Sequence, residues 1–220
     1  MSINPTAFEQ YLLELINRAR ANPQAEAARL AIGLNDGLAA GTIDGAPKQA
    51  LVFSEALINA ARGHSMWMLD TDMFSHTGAN GSTPTARMVA AGYVTTGKWG
   101  TGENIAYTAS TGSIDGIAAV LENHDNLFRS AGHRSNLLNG DFKEIGLGVV
   151  IGEFTTDMKY NAMMVTENFA FSGTAAYLTG VVIDDHDNDS FYDFGEGVGA
   201  VSVRAVGSAG TFETATWDAG

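Results

Sequence analysis

The stretch GENIAY, Gly102 to Tyr107, decides how the rest of this 220-residue chain is read. A glycine opens it, Glu103 and Asn104 follow, and an apolar strand begins directly behind them. Upstream lie HSMWM at His64 to Met68 and FSHTG at Phe74 to Gly78; downstream lies GHRSNLL at Gly132 to Leu138. The four segments hold His64, His76 and His133, three of the five histidines, together with Glu103. Imidazoles and carboxylates bind divalent metals and move protons near neutral pH. The glycines let the backbone turn tightly beside the polar residues.

The surrounding pattern predicts an α+β domain. Phe8, Leu12, Leu15, Ile16 and Ala19 recur at helical spacing, behind Asn4-Pro5 as the expected cap and first turn. Ser54 is expected to cap a second helix, with Leu57, Ala61, His64 and Met68 along its apolar stripe, so His64 points inward. Thr83-Pro84 opens a short helix that stops at Gly92, and another runs from about Asp115 to Arg129. Strands follow in EIGLGVVI, Glu144 to Ile151, and in NAMMVTENFAF, Asn161 to Phe171. Helices surrounding a mostly antiparallel sheet make an α+β fold.

The order and spacing of the four segments resemble the CAP superfamily, which comprises cysteine-rich secretory proteins, antigen 5 and pathogenesis-related class 1 proteins. The likeness is to its bacterial type, and it runs from about Phe8 to Ser172. The resemblance implies a three-layer α-β-α sandwich. It implies that His76, Glu103 and His133 line a central cavity, whose His and Glu residues bind a divalent cation such as zinc in some members. The family's fourth polar residue is a glutamate, and Ser130 stands in its place here. Glu122 and His124 lie upstream on the same helix, and His64 is a candidate replacement lining the cavity. The resembled members bind sterols or other lipids, or act on host or neighbouring cells. The family is extracellular, and the expected partner is an extracellular ligand: a lipid, a sterol or a cell-surface component.

Two functions stay open. One is a secreted, non-catalytic binding or interaction module. The other is a metal-dependent extracellular hydrolase, a peptidase or esterase, with a metal-activated water and Glu103 as its base. Motifs for other hydrolases are missing: the sequence has no HExxH helix and no GxSxG elbow. Ser65 adjoins His64 on one helix, where neighbours point about 100° apart and cannot pair. Asn104 and Asn136 read as turn or cap residues, and Arg134 as the partner of a nearby carboxylate. Trp67, Met66 and Met68 read as an apolar cluster.

Composition narrows the partners. The formal net charge is −13 and the isoelectric point is near 4.6. Nucleic-acid binding needs clustered Lys and Arg, so it is excluded as an expectation. The chain has no cysteine, so its stability must come from the core. Met1 to Arg20 lacks a basic start and a continuous apolar stretch, so no export signal is visible. No stretch has the apolar length of a membrane span.

After Ser172 the pattern becomes all-β, and the expected division is a CAP-like domain over 1–174 and a partial β-sandwich over 177–220. Leu178 to Ile183, Val201 to Val206 and Thr211 to Trp217 read as strands. Between them, Asp185, Asp187, Asp189, Phe191, Asp193 and Glu196 fall at positions 1, 3, 5, 7, 9 and 12 of an EF-hand-type loop. Calcium is the expected ligand, with Phe191 giving its carbonyl oxygen. Ser190 stands where such loops carry glycine, and strands rather than helices flank the loop. The tail resembles the calcium loops of bacterial adhesin β-sandwich repeats. Its stabilisation by calcium is expected to stay local, because the preceding domain has its own core.

Overall fold

In the computed structural model, residues 4–208 and 210–220 are described. The first helix, α1 (Ala7–Ala21), starts two residues later than its sequence pattern suggests. Thr6 is its cap, and Thr6 and Glu9 exchange hydrogen bonds in a capping box. Asn4 instead donates to the Asp218 carboxylate near the other end of the chain. A short α2 (Pro23–Arg29) follows, then β1 (Val52–Phe53) and α3 (Glu55–Asp70). Beyond these come α4 (Pro84–Ala90), β2 (Trp99–Ser110), α5 (Gly116–Arg129) and α6 (Ala131–Leu137). The long strands β3 (Glu144–Thr155) and β4 (Lys159–Ser172) complete the main sheet. Its order is β1-β3-β4-β2, antiparallel except for the short β1–β3 pair.

The architecture is α+β, with helices on both faces of the sheet. Ile145, Leu147, Met163, Val165 and Phe169 point to one face and pack with Leu12, Leu15 and Ile16 of α1 and Val120 and Phe128 of α5. The alternate residues face α3 and α4: Ala162, Met164 and Ile105 pack with Met68 and Leu69, and Ala170 packs with Leu57 and Met88. A strand buried on both faces should be apolar throughout. In β4 this pattern breaks at three buried residues, Thr166, Glu167 and Asn168.

The alternation of glycine in EIGLGVVI has a steric cause. A Cβ on Gly146 would lie 1.9 Å from the Leu57 carbonyl carbon, and one on Gly148 would lie 2.4 Å from that of Ala61. Four helical residues advance about 6.0 Å and two strand residues about 6.7 Å. The helix backbone therefore meets the strand backbone repeatedly, and only glycine fits. Ser65 uses the close approach to donate to the Gly148 carbonyl at 2.8 Å.

Several sequence-based assignments change. Among the described residues Arg134 pairs with no carboxylate; it is buried and donates to the carbonyls of Leu34, Phe128, Arg129 and Asp36. His124 points away from the candidate cavity and bonds Glu26 at 3.0 Å. Met66 lies on the exposed side of α3, away from the buried Met68.

The tail contains the hairpin β5 (Ser202–Gly207) and β6 (Gly210–Ala215). The expected strand at Leu178 to Ile183 is reduced to one bridge, Ile183 to Gly197, which closes the acidic loop. The loop is tied to α1 more closely than its sequence implied. Tyr192 is buried in the same core as Tyr11, Leu12 and Leu15. Phe194 lies on Phe8 with centroids 4.8 Å apart, and the Arg18 guanidinium sits 5.2 Å above the Phe191 ring. The acidic residues alternate with aromatic ones, and the aromatic side chains dock on α1.

Candidate functional site

Glu103 and Asn104 are neighbours on β2 and therefore point to opposite faces of the sheet. Glu103 faces α3 and α4. Its Oε1 lies 2.8 Å from His76 Nδ1, and its Oε2 accepts from the Arg87 guanidinium at 2.6 Å. Arg87 also donates to the carbonyls of His76 and Ser82, fixing the segment that carries His76. Half of the His76 side chain is exposed, whereas that of Glu103 is almost wholly buried. A buried carboxylate costs free energy unless it is paired, and here both oxygens are.

Asn104 faces the other layer. It donates to the His133 carbonyl at 3.3 Å and to Glu167 Oε2 at 2.9 Å, and it accepts from Asn136 at 2.9 Å. Asn136 also donates to the Glu103 carbonyl, so the network ties α6 to β2. Asn104 and Asn136 are thus site supports rather than turn residues. His133 lies within α6, where burial and then the charge of His76 lower its pKa. His76 comes from the α3–α4 layer and His133 from the α6 layer, near enough for the charge of His76 to act on His133.

His64 is on α3 and only 1% exposed. Its Nε2 lies 2.9 Å from the Ser75 carbonyl, so that nitrogen carries the proton. Burial, then the nearby Arg87 charge, lowers its pKa to about 4. It is neutral at pH 7.

Thr166, Glu167 and Asn168 account for the polar break in β4. Thr166 bonds Ser65 at 2.8 Å, and Glu167 accepts from Asn104. Turned about its amide, Asn168 donates to Glu103 at 3.2 Å and accepts from the Ala61 N–H. Arg87 and Glu167 are the important members that sequence reasoning missed. Arg87 lies outside the four segments, but the TEN triplet in an apolar strand was a readable signal.

Burial pushes the Glu167 pKa up to about 8. In the fold this carboxyl is protonated at pH 7, whereas in the unfolded chain it ionises near 4.5. Below pH 4.5 both states are protonated and the raised pKa costs nothing. Between pH 4.5 and 8 the penalty grows by about 1.4 kcal/mol per pH unit. Glu167→Gln should remove this slope and leave the fold intact. Urea melts of both proteins from pH 5 to pH 8 check this, and parallel curves would contradict it.

Among the described residues, three-donor groups with mutual spacing under 4.8 Å occur at Glu26, His124 and Asp125 and at Asp185, Asp187 and Asp189. His76, Glu103 and His133 do not form one. In the first group, Arg18 and Arg29 already pair with Glu26, and Arg29 pairs with Asp125. Burial alone would raise the Glu26 pKa; hydrogen bonds from His124, Arg29 and Arg18 outweigh this and hold it far below the usual range. That cluster pins α1, α2 and α5 together.

Residues 13–169 match the CAP family, described as the cysteine-rich secretory protein family. The chain belongs to the CAP family. A search of curated proteins returned no match. One similar solved structure is an extracellular protein containing an SCP domain from Bacillus anthracis, 28% identical with a TM-score of 0.41. That likeness covers 56% of this chain and 34% of the other, so the CAP chain spans about a third of that protein's length. Another is an outer surface protein from Borrelia burgdorferi, 15% identical with a TM-score of 0.42, covering 76% of this chain and 98% of the other. This CAP chain has no cysteine, and none of its described helices is long and apolar enough to cross a membrane.

Proposed function

We propose that this chain is a secreted bacterial CAP module that binds an extracellular ligand without turning it over. One observation carries the reading: both oxygens of Glu103 are engaged, by His76 and by the charged Arg87. A general base must reach its substrate and a three-ligand zinc centre must reach the carboxylate, and the Glu103 side chain is almost wholly buried between His76 and Arg87. Zinc would have to displace a guanidinium from Glu103. Without Glu103, two imidazoles do not complete a catalytic set. The site is better suited to recognition, with an exposed imidazole on His76 and a partly buried one on His133. The ligand is proposed to be a lipid, a sterol or a cell-surface component.

The chain is further proposed to comprise a CAP domain over 1–174 and an adhesin-like β-tail over 177–220 that holds calcium. Asp185, Asp187, Asp189, Asp193 and Glu196 would supply carboxylates and Phe191 its carbonyl. In support, Asp193 has its pKa raised by burial and then by the charges of Asp187, Asp189, Glu196 and Asp185. Ser190 takes φ of 64°, the left-handed turn that glycine gives such loops. The Glu196 carboxylate accepts from the backbone N–H groups of His186 and Asp193, which holds it against the loop.

The enzyme reading is tested by incubating the protein with peptide and ester panels, with and without added zinc. No turnover above buffer is expected under either condition. Zinc-dependent turnover that disappears in Glu103→Gln would establish the hydrolase instead.

A further inference from the structure

We infer that Asn139 is a site of spontaneous covalent modification: the Gly140 nitrogen closes on the Asn139 side-chain amide, ammonia leaves, and water opens the resulting succinimide to aspartate or isoaspartate.

Asparagine precedes glycine twice in this chain, at Asn80-Gly81 and at Asn139-Gly140. Glycine has no Cβ to hinder its own nitrogen, so both pairs carry the intrinsic chemistry. The fold treats them differently. For the ring to close, the glycine N–H must lose its proton and the peptide must bear the negative charge. The side-chain carbonyl must also be polarised to accept the nitrogen.

Asn139 meets all three conditions. Gly140 is exposed, and its N–H has no hydrogen-bond partner among the described residues, so solvent base can reach the proton. Through amide resonance, loss of that proton places charge on the Asn139 carbonyl oxygen of the same peptide. Arg20 donates to that oxygen at 3.0 Å. Arg20 is wholly buried, and the acceptors around it are uncharged carbonyls, those of Gln49, Leu137, Asn139 and Phe142. Burial pushes its pKa down to about 10, so it is still a cation at pH 7 and favours a negative charge developing beside it.

The electrophile is held as well. Asn139 Oδ1 accepts from the Asp141 N–H at 2.9 Å, a turn that folds the side-chain amide back over Gly140. The same N–H stabilises the oxyanion formed when nitrogen adds to Cγ. The Gly140 N–Cγ bond forms, the Cγ–Nδ2 bond breaks, and the amide nitrogen departs as ammonia. Water adding at Cγ then leaves aspartate in the normal chain. Water adding at the backbone carbonyl leaves isoaspartate, with Gly140 linked through the side chain. The new carboxylate lies beside the guanidinium of Arg20.

Asn80 has other surroundings. It is exposed, whereas Asn139 is half-buried, so exposure alone would rank Asn80 first. Yet the Gly81 N–H is committed to the Gly78 carbonyl at 3.1 Å, which holds the proton that must leave. The hydrogen bonds therefore rank Asn139 first.

The test incubates the full chain at mildly alkaline pH, folded and in urea. Mass spectrometry follows the exchange of NH for O in the two peptides, and chromatography separates aspartate from isoaspartate. In urea both sites should react within about twofold of each other, because only the shared Asn-Gly chemistry remains. In the fold Asn139 should lead Asn80 by about tenfold or more. Gly140→Ala is the variant. Its φ lies outside the left-handed region, and a Cβ there would meet only Lys48 Cδ at 3.6 Å, so the fold accepts it. The methyl beside the attacking nitrogen should slow Asn139 by about tenfold or more and leave Asn80 unchanged. Equal folded rates, Asn80 reacting first, or an unslowed Gly140→Ala would each overturn the inference. So would an inert Asn139 in the fold beside conversion in urea, since the fold would then protect the site.

Discussion

Saturating calcium should raise the melting temperature of the whole chain by roughly 5–10 °C, and Glu196→Gln should abolish most of the rise. At a hundredfold excess over the dissociation constant, linkage supplies about 2.7 kcal/mol. For a chain of this size each kcal/mol moves the midpoint by about 2–4 °C. The effect should not stay in the tail, as the sequence alone suggested. Tyr192 lies inside the acidic loop yet belongs to the α1 core, and Phe194 packs on Phe8. Without a cation, the carboxylates of Asp185, Asp187, Asp189, Asp193 and Glu196 repel one another, which opposes the geometry that docks these rings. A cation that gathers the carboxylates therefore also presses the aromatic residues onto α1. The check is calorimetry with and without calcium, alongside α1 reporters such as Tyr11. An unchanged melting temperature, or an equal rise in Glu196→Gln, would contradict the calcium loop. A change seen only in tail resonances would contradict its coupling to α1.

Gly146→Ala should destabilise the fold by at least about 3 kcal/mol, the upper part of the usual range for an overpacked site. The added methyl would meet the backbone of Leu57 rather than a side chain that could swing aside. The helix would have to lift off the sheet, loosening the Leu57, Met88 and Ala170 packing as well. Gly63→Ala is the control. It lies in α3 with nothing near the new Cβ, so it should stabilise by about 0.5–1 kcal/mol. Urea unfolding of the two variants separates a steric cause from general intolerance of substitution. Similar losses in both would contradict the backbone-contact account.

Much of this fold was legible because its signals are local. The apolar stripe of α1, the inward His64 of α3 and the alternation in Glu144 to Ile151 all follow from residue spacing. What escaped reading was long-range. Arg87 sits on a short helix with no motif around it, and only the folded chain brings it to Glu103. Arg134 was expected to find a carboxylate, but burial beside loop carbonyls gave its guanidinium uncharged acceptors. Asn104 and Asn136 looked like turn formers because their residue types favour turns. Their role depends on Glu167, sixty residues along the chain but directly across the sheet at the β2–β4 pairing. The fit of the tail on α1 was hidden for the same reason.

Arg87 holds Glu103, and the proposed consequence is a recognition site rather than a metal centre. Zinc titration by calorimetry on the wild type, Arg87→Ala, His76→Ala and His133→Ala tests it most directly. Zinc should bind the wild type weakly. Arg87→Ala, which frees a carboxylate oxygen and removes a positive charge, should bind it at least about tenfold more tightly. What remains of wild-type zinc binding should be lost in His76→Ala and His133→Ala. Tight stoichiometric zinc binding by the wild type that Arg87→Ala does not strengthen would contradict the account.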